Sequence, residues 1–415
     1  MRARIHRGAA EIGGNCVELE AGGTRLVLDV GRPLWAEASD PVPLPKIAGL
    51  DTGTDRSLLG VVISHAHPDH HGLAGLLPHS VPLFMGAATA RILRESQFFT
   101  PMGLDREPAE LLADRQPLIV GPFTITPFLV DHSAFDAYAL LVEADGRRLF
   151  YTGDFRAHGR KAELLKRLLQ EPPTGVDVLL IEGTRLGRAE SSQGPSDETA
   201  VEQQCVEISR RAEGIVLAAF SMQNVDRMVS IYRAALRTDR DLILDLYGAA
   251  VTLATGNPNI PQPGADRVRF FVPQAQRVKI LRSRQFERVH LISRARIYPE
   301  QLAQEAARLV LSFRPTMVRD LERAKCLQGA EAIWSMWPGY LHDERMIDFR
   351  EFLDRHQIPL TVLHASGHAT VEDLVRLAQA MQPKRIVPIH TAHPERFASL
   401  FGHAEPHPDL EWWEV

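Results

Sequence analysis

The segment Ser64-His-Ala-His-Pro-Asp-His-His-Gly72 holds the densest chemistry in the chain. His65 and His67 stand two apart, and Asp69 and His70 are adjacent. The apolar run Gly60–Ile63 precedes them, so the group sits where a strand ends. Three imidazoles and a carboxylate in such a turn can serve two neighbouring metal ions. Imidazole nitrogen and carboxylate oxygen are ligands that zinc takes, at about 2.0–2.2 Å. The competing reading is a polar loop that happens to be rich in histidine. Four histidines within seven positions, out of 17 in 415 residues, argue against it.

Other polar residues close apolar runs further along. Asp29 ends Leu26-Val-Leu-Asp29, His132 lies in Val130-Asp-His-Ser133, and Asp154 lies in Tyr151-Thr-Gly-Asp-Phe155. Taken singly, each reads as an ordinary turn. In this order after the histidine motif, they make the chain resemble the metallo-β-lactamase superfamily, whose H-x-H-x-D-H signature falls on His65, His67, Asp69 and His70. The likeness implies that His132 completes one metal site, that Asp154 bridges two metals and that Asp29 supports the ligands. Three later segments resemble the β-CASP branch, which processes nucleic acids: Ile181-Glu-Gly-Thr184 with Glu182, His364-Ala-Ser-Gly-His368 with His368, and Ile386-Val-Pro-Ile-His390 with His390. Histidine at the last position goes with RNA in that branch. Gly8-Ala-Ala-Glu-Ile-Gly-Gly-Asn15 is similar to the ribonuclease J subgroup.

The resemblance implies a ligand set of His65, His67 and His132 for one ion, Asp69, His70 and His390 for the other, and Asp154 for both. Two zinc ions, or manganese as the alternative, would activate a shared water and clamp the attacking and leaving oxygens of a phosphodiester. Asp69, His368 and Glu182 carry the catalytic expectation, with His368 as general acid and Glu182 orienting it. The competing reading of Glu182 and His368 is a structural ion pair. His364, Ser366, Gly367, Ser221 and Asn224 are the implied substrate contacts. The loop Phe220-Ser-Met-Gln-Asn-Val-Asp-Arg227 departs from the subgroup by an extra residue and by Asp226 where histidine is typical. It therefore does not support 5′-phosphate sensing. A DNA nuclease or nucleotide phosphodiesterase on the same scaffold is the first rival, and a weakly catalytic RNA-binding subunit the second.

These residues need elements to position them. Strand candidates are Thr24–Val30, Gly60–Ser64, Leu118–Val130, Tyr138–Glu143, Arg148–Thr152 and Val176–Ile181, with helices over Ala87–Phe98 and Lys161–Gln170. The polar run Gly187–Ser196 reads as a linker, with Ser196 capping the next helix. Alternation then predicts an α/β unit: strands Gly214–Ala219, Leu242–Leu246 and Val289–Ile292, helices Asp197–Arg211, Val225–Leu236 and Glu300–Leu311. Strand Leu360–His364 is expected to rejoin the first sheet, followed by helix Thr370–Met381 and strand Arg385–Ile389. The fold class is α+β, an αββα sandwich of metallo-β-lactamase type with an inserted α/β cap. Its expected ranges are 1–185, the cap 186–357, and the return 358–415.

Composition sets the remaining bounds. Hydrophobic residues at 45% and charged residues at 24% describe a globular chain. No signal-peptide core or membrane span is expected, so the localisation read from sequence is cytoplasmic. Cys16, Cys205 and Cys326 are too far apart for a metal clip. The net charge of -5 gives no global pull on nucleic acid. Between Gln276 and Ile297, however, seven basic residues face one acid, Glu287. That run is either a solvated helix face or a track for a phosphate backbone. Trp334, Trp337 and Tyr340 are either core or base-stacking residues. An RNA substrate is the partner expected; a homodimer is not derivable.

Overall fold

The computed structural model describes residues 1–38, 40–187, 195–265 and 267–415. The expected linker therefore lies, from 188 to 194, outside the described residues. The strands in chain order are β1 Arg2–Arg7, β2 Cys16–Ala21, β3 Thr24–Leu28, β4 Leu58–Val62, β5 Leu83–Gly86, β6 Glu110–Leu112, β7 Leu118–Val120, β8 Phe123–Leu129, β9 Tyr138–Ala144, β10 Arg147–Tyr151 and β11 Val178–Glu182. They continue as β12 Val216–Ala219, β13 Asp241–Asp245, β14 Val268–Phe271, β15 Leu309–Ser312, β16 Glu331–Trp334, β17 Leu360–Val362, β18 Arg385–Ile389 and β19 Trp412–Glu414. The chain divides into one unit of Met1–Glu190 with Gly367–Val415, and a second of Ser191–Ser366.

The first unit contains two mixed sheets, ordered β19-β1-β2-β3-β4-β5-β6 and β18-β11-β10-β9-β8-β7. Ile5, Leu19, Leu28, Leu140, Tyr151 and Leu180 fill the space between them, all fully buried. The outer face of the second sheet carries helices Ala162–Gln170 and Val371–Met381. Their Leu165, Leu168, Leu374 and Leu377 cover Phe150 and Leu179. Turn chemistry sets the antiparallel registers. Asp145 (φ 51°) and Gly146 (φ 70°) form the two-residue turn that pairs Ala144 with Arg147, as hairpins of this length require. The expected single strand Leu118–Val130 is instead two strands. Gly121 takes a positive φ of 59°, and Pro122 has no N–H to give a ladder, so the chain turns back there.

The second unit holds an all-parallel sheet, ordered β14-β13-β15-β12-β16-β17. Leu217, Ile243, Leu311, Trp334, Phe349 and Phe352 lie in its core, which places Trp334 among structural aromatics. Four expectations are corrected here. Leu360–Val362 does not rejoin the first unit; β17 pairs parallel with β16, Ile333 opposite Thr361. The return to the first unit accordingly begins at Gly367. Val289–Ile292 is no strand: Glu287–His290 is a helical turn, and the strand is Val268–Phe271. A short apolar run is ambiguous between the two conformations. The helix expected over Glu300–Leu311 stops at Gln304, because the buried run Leu309–Ser312 serves as a strand between β13 and β12. Asp197 rather than Ser196 caps the following helix, accepting from the Ala200 N–H at 2.7 Å.

Among the described residues no helix is long and apolar enough to cross a membrane.

Candidate metal centre

Strand direction explains why distant residues meet. β10, β11 and β18 run parallel, with Tyr151 opposite Leu180 and Glu182 opposite Ile389. Their ends therefore share one sheet edge, where Asp154, Glu182 and His390 follow or finish the strands. His132 follows β8, and the histidine motif follows β4 as the short helix Pro68–His71. Backbone bonds fix that turn: Val30 N–H donates to His70 O at 2.8 Å, Arg32 to Pro68 O at 2.9 Å and Asn15 to Asp69 O at 3.0 Å. The approach is so close that a Cβ on Gly31 would lie 1.8 Å from Asp69 O, leaving room for glycine only. Asp29 (φ 58°) and His390 (φ 53°) both hold left-handed backbone, a strain that persists where surrounding structure enforces it.

Three groups of residues could each hold an ion. His65, His67 and His132 form one, Asp69, His70, Asp154 and His390 a second, and Asp154, Glu182, His368 and His390 a third that overlaps it. His67 Nδ1 lies 3.0 Å from His132 Nε2, and His390 Nε2 lies 3.1 Å from Asp69 Oδ2. The Asp154 carboxylate is ringed by five imidazoles: His70 at 3.2 Å, His368 at 3.6 Å, His65 and His390 at 3.8 Å, and His132 at 4.0 Å. Yet Asp154 is 1% exposed and neither oxygen accepts a well-formed hydrogen bond; His65 Nε2 and His70 Nε2 are likewise buried and unpartnered. Leaving a carboxylate buried this way costs several kcal/mol unless a cation sits there. The residues fit a metal.

The electrostatics agree. Burial drives the His65 and His132 imidazoles well below their ordinary range, reinforced by the neighbouring histidines, and His67 falls to about 4. All three imidazoles are thus neutral, with lone pairs that a metal could take. At His70 burial is outweighed by the charges of Asp154 and Asp29, which lift it well above the usual imidazole range. Burial raises Asp154 too, but His390, His70 and His368 overcome it and hold the carboxylate ionised. A proton on His70 thus balances charge where a cation would.

Outer partners orient these ligands, as metal-binding histidines require. Asp29 Oδ2 accepts from His70 Nδ1 at 2.7 Å, Tyr151 OH at 2.7 Å and Ser64 Oγ at 2.8 Å, while Oδ1 accepts from Ser64 N at 2.7 Å. His132 Nδ1 faces Gly367 O at 2.7 Å, and Thr184 Oγ lies 2.7 Å from His390 Nδ1.

Beside the centre, His368 Nδ1 sits 3.1 Å from Glu182 Oε2. Glu182 is 1% exposed and held by Thr184 Oγ at 2.7 Å and Phe155 N at 3.0 Å. The His368 side chain is 22% exposed, unlike its buried neighbours. Burial lowers this imidazole, but Glu182 and Asp154 outweigh it and raise it to about 9. It carries its proton at neutral pH.

All seven residues expected as ligands, with Glu182 and His368, come together in the first unit. Gly367 is there too. His364, Ser366, Ser221 and Asn224 belong to the second unit. The Asn224 side chain accepts from Arg227 N at 3.0 Å and caps the helix Val225–Arg237. Arg227 is fully buried against Glu198 at 3.0 Å and donates to Ser335 O and Ala365 O. Sequence reasoning missed Ser64, Tyr151 and Thr184 as orienting residues. Ser64 and Thr184 stood inside the motifs already singled out; Tyr151 ended an apolar strand without any signal of its own.

The sequence pattern of the beta-lactamase superfamily domain matches residues 43–222. That of the Zn-dependent metallo-hydrolase RNA specificity domain matches residues 360–402. The chain is 24% identical over 411 residues to Ribonuclease J of Helicobacter pylori, covering 92% of this chain and 55% of that one. It is 25% identical over 423 residues to Ribonuclease J of Mycobacterium tuberculosis, covering 94% and 68%. It thus spans about half the length of the first of these relatives. A crystal structure of a protein of unknown function from Enterococcus faecalis V583 shares the fold, with a TM-score of 0.80 and 21% identity over 100% of this chain and 99% of that one.

Proposed function

The chain belongs to the metallo-β-lactamase superfamily, as a ribonuclease J-like member of its β-CASP branch, and we propose on that premise that it is a ribonuclease using two divalent ions, zinc or manganese. The observation that carries this reading is the buried Asp154 carboxylate, set amid five imidazoles with no well-formed hydrogen bond to either oxygen. In it, His65, His67 and His132 would hold one ion and Asp69, His70 and His390 the other, with Asp154 available to both. Bound ions would lower the pKa of water toward ~7 and neutralise charge on the attacking and leaving oxygens.

The chain's own residues supply the rest. His368 donates the proton that the leaving oxygen needs, and Glu182 keeps the imidazole charged and oriented through Nδ1. Asp29, Thr184 and Gly367 hold His70, His390 and His132 in position. The segment matching the RNA specificity domain contains His364, Ser366, Gly367, His368 and His390; the first three are proposed to contact RNA.

The test uses metal-loaded protein with labelled RNA and DNA of one sequence. RNA should be cut, DNA much more slowly, and Asp154→Ala should abolish the activity together with metal binding. Preference for DNA, or no hydrolysis of either with zinc or manganese, would refute the proposal.

A further inference from the structure

The second unit carries a surface that the metal centre does not use. Many of its arginines are paired with carboxylates, as in Arg211–Glu331, Arg267–Asp241 and Arg269–Glu305. Arg282, Arg284 and Arg294, by contrast, are exposed and have no carboxylate within 4.0 Å among the described residues. They follow or end the helix Gln274–Ser283, of which only Ile280 is buried. Large apolar side chains are interleaved with them in the open: Leu281, Leu291 at 84% exposure, Phe286 at 43% and Tyr298 at 49%. Arg296 stacks its guanidinium over the Tyr298 ring at 4.7 Å.

Three exposed, unpaired cations concentrate positive charge in this stretch of chain, and exposed aromatic faces cost hydration. One class of partner relieves both. A single-stranded nucleic acid offers phosphates to the arginines and flat bases to the rings. A second copy of the chain meeting this face symmetrically would set arginine against arginine. We propose that residues 281–298 form an RNA-binding face that grips single strands through their backbone and stacks bases on Phe286 and Tyr298. The proposal rests on the ribonuclease reading for its choice of RNA.

The test compares wild type with the triple variant Arg282→Gln, Arg284→Gln, Arg294→Gln. Two readouts are taken: anisotropy binding of a fluorescent phosphorothioate RNA, and turnover of bis(4-nitrophenyl) phosphate. Three lost contacts at a slope of about 0.7 each amount to roughly 50-fold weaker binding at 0.15 M salt, and a log–log salt slope shallower by about 2. Diester turnover should not change. Phe286→Ala should weaken binding at least about fivefold with the slope intact, as loss of a stacked base does. Unchanged RNA affinity and slope in the triple variant would overturn the proposal. So would a variant that only loses self-association in sedimentation, which would make the face a contact between copies. If wild type binds RNA with the expected slope but cleaves neither diester nor RNA, the ribonuclease reading falls and the binding face stands.

Discussion

Replacing Asp29 by asparagine should weaken one metal site more than the other. The carboxylate accepts four hydrogen bonds, three on Oδ2 from His70 Nδ1, Tyr151 OH and Ser64 Oγ, and one on Oδ1 from Ser64 N. In Asp29→Asn the carbonyl stays with the Ser64 N–H, which cannot turn. The new NH2 group then faces the other three. The two hydroxyls can rotate to accept from it, but His70 can do so only by moving its proton from Nδ1 to Nε2. That nitrogen, 3.2 Å from Asp154, is the one needed as a ligand. Losing a hydrogen bond to a charged group costs about 1.5–3 kcal/mol, roughly 10- to 150-fold in affinity. Competition with a graded chelator, read by bound metal per chain, should show that loss at one ion of two. The ion held by His65, His67 and His132 should weaken less, because Asp29 reaches that group only through Ser64 Oγ, 3.0 Å from His65 Nδ1. Equal weakening of both ions, or of neither, would refute the tautomer argument.

Other outcomes follow from the same geometry. His368→Ala should retain both metals and lose about 10²–10⁴-fold in turnover. A diester with a good leaving group should restore it, while Asp69→Ala should lose metal and activity together on every substrate. Glu18, buried and hydrogen-bonded to His6 at 2.8 Å, Arg4 at 2.6 Å and Arg25 at 2.9 Å, is raised by burial, but those bonds outweigh it and set it at about 2. Its stabilisation is complete above its ordinary 4.5 and is lost as pH falls toward about 2; it is worth at most ~3 kcal/mol, or ~2 after screening by solvent at Arg4. Urea unfolding across that window should show a flatter acid limb in Glu18→Gln, and superimposable curves would exclude the role. Gly31→Ala should destabilise the protein by about 3 kcal/mol in thermal unfolding, since the atoms in its way are backbone; a neutral effect would mean the turn can yield.

Much of the centre was legible because its chemistry is concentrated: a strand end followed by His65 to His70 has few other uses. The sequence order of Asp29, His132, Asp154 and His390 then located the partners. What it could not convey was which unit claims Leu360–Val362. That segment is a short apolar run, and its choice of β16 as neighbour depends on packing far from it in sequence. Leu309–Ser312 failed for the same reason, since a buried central strand and a buried helical stretch show the same unbroken apolar pattern. Thr184 was visible as a motif residue, but its bond to His390 becomes apparent only when β11 and β18 are known to pair.

The pairing of β19 with β1 and of β18 with β11 also governs timing. Ribosomal synthesis delivers β1–β11 well before either late strand, so both sheets of the first unit wait with an unpaired flank. Such flanks invite mispairing, and contacts this distant in sequence form slowly. The same late segment brings His368 and His390. A nascent chain therefore carries the histidine motif through most of its synthesis with the centre incomplete, and under the proposed activity it would be unable to cut the messenger it is being read from until β18 has closed the sheet.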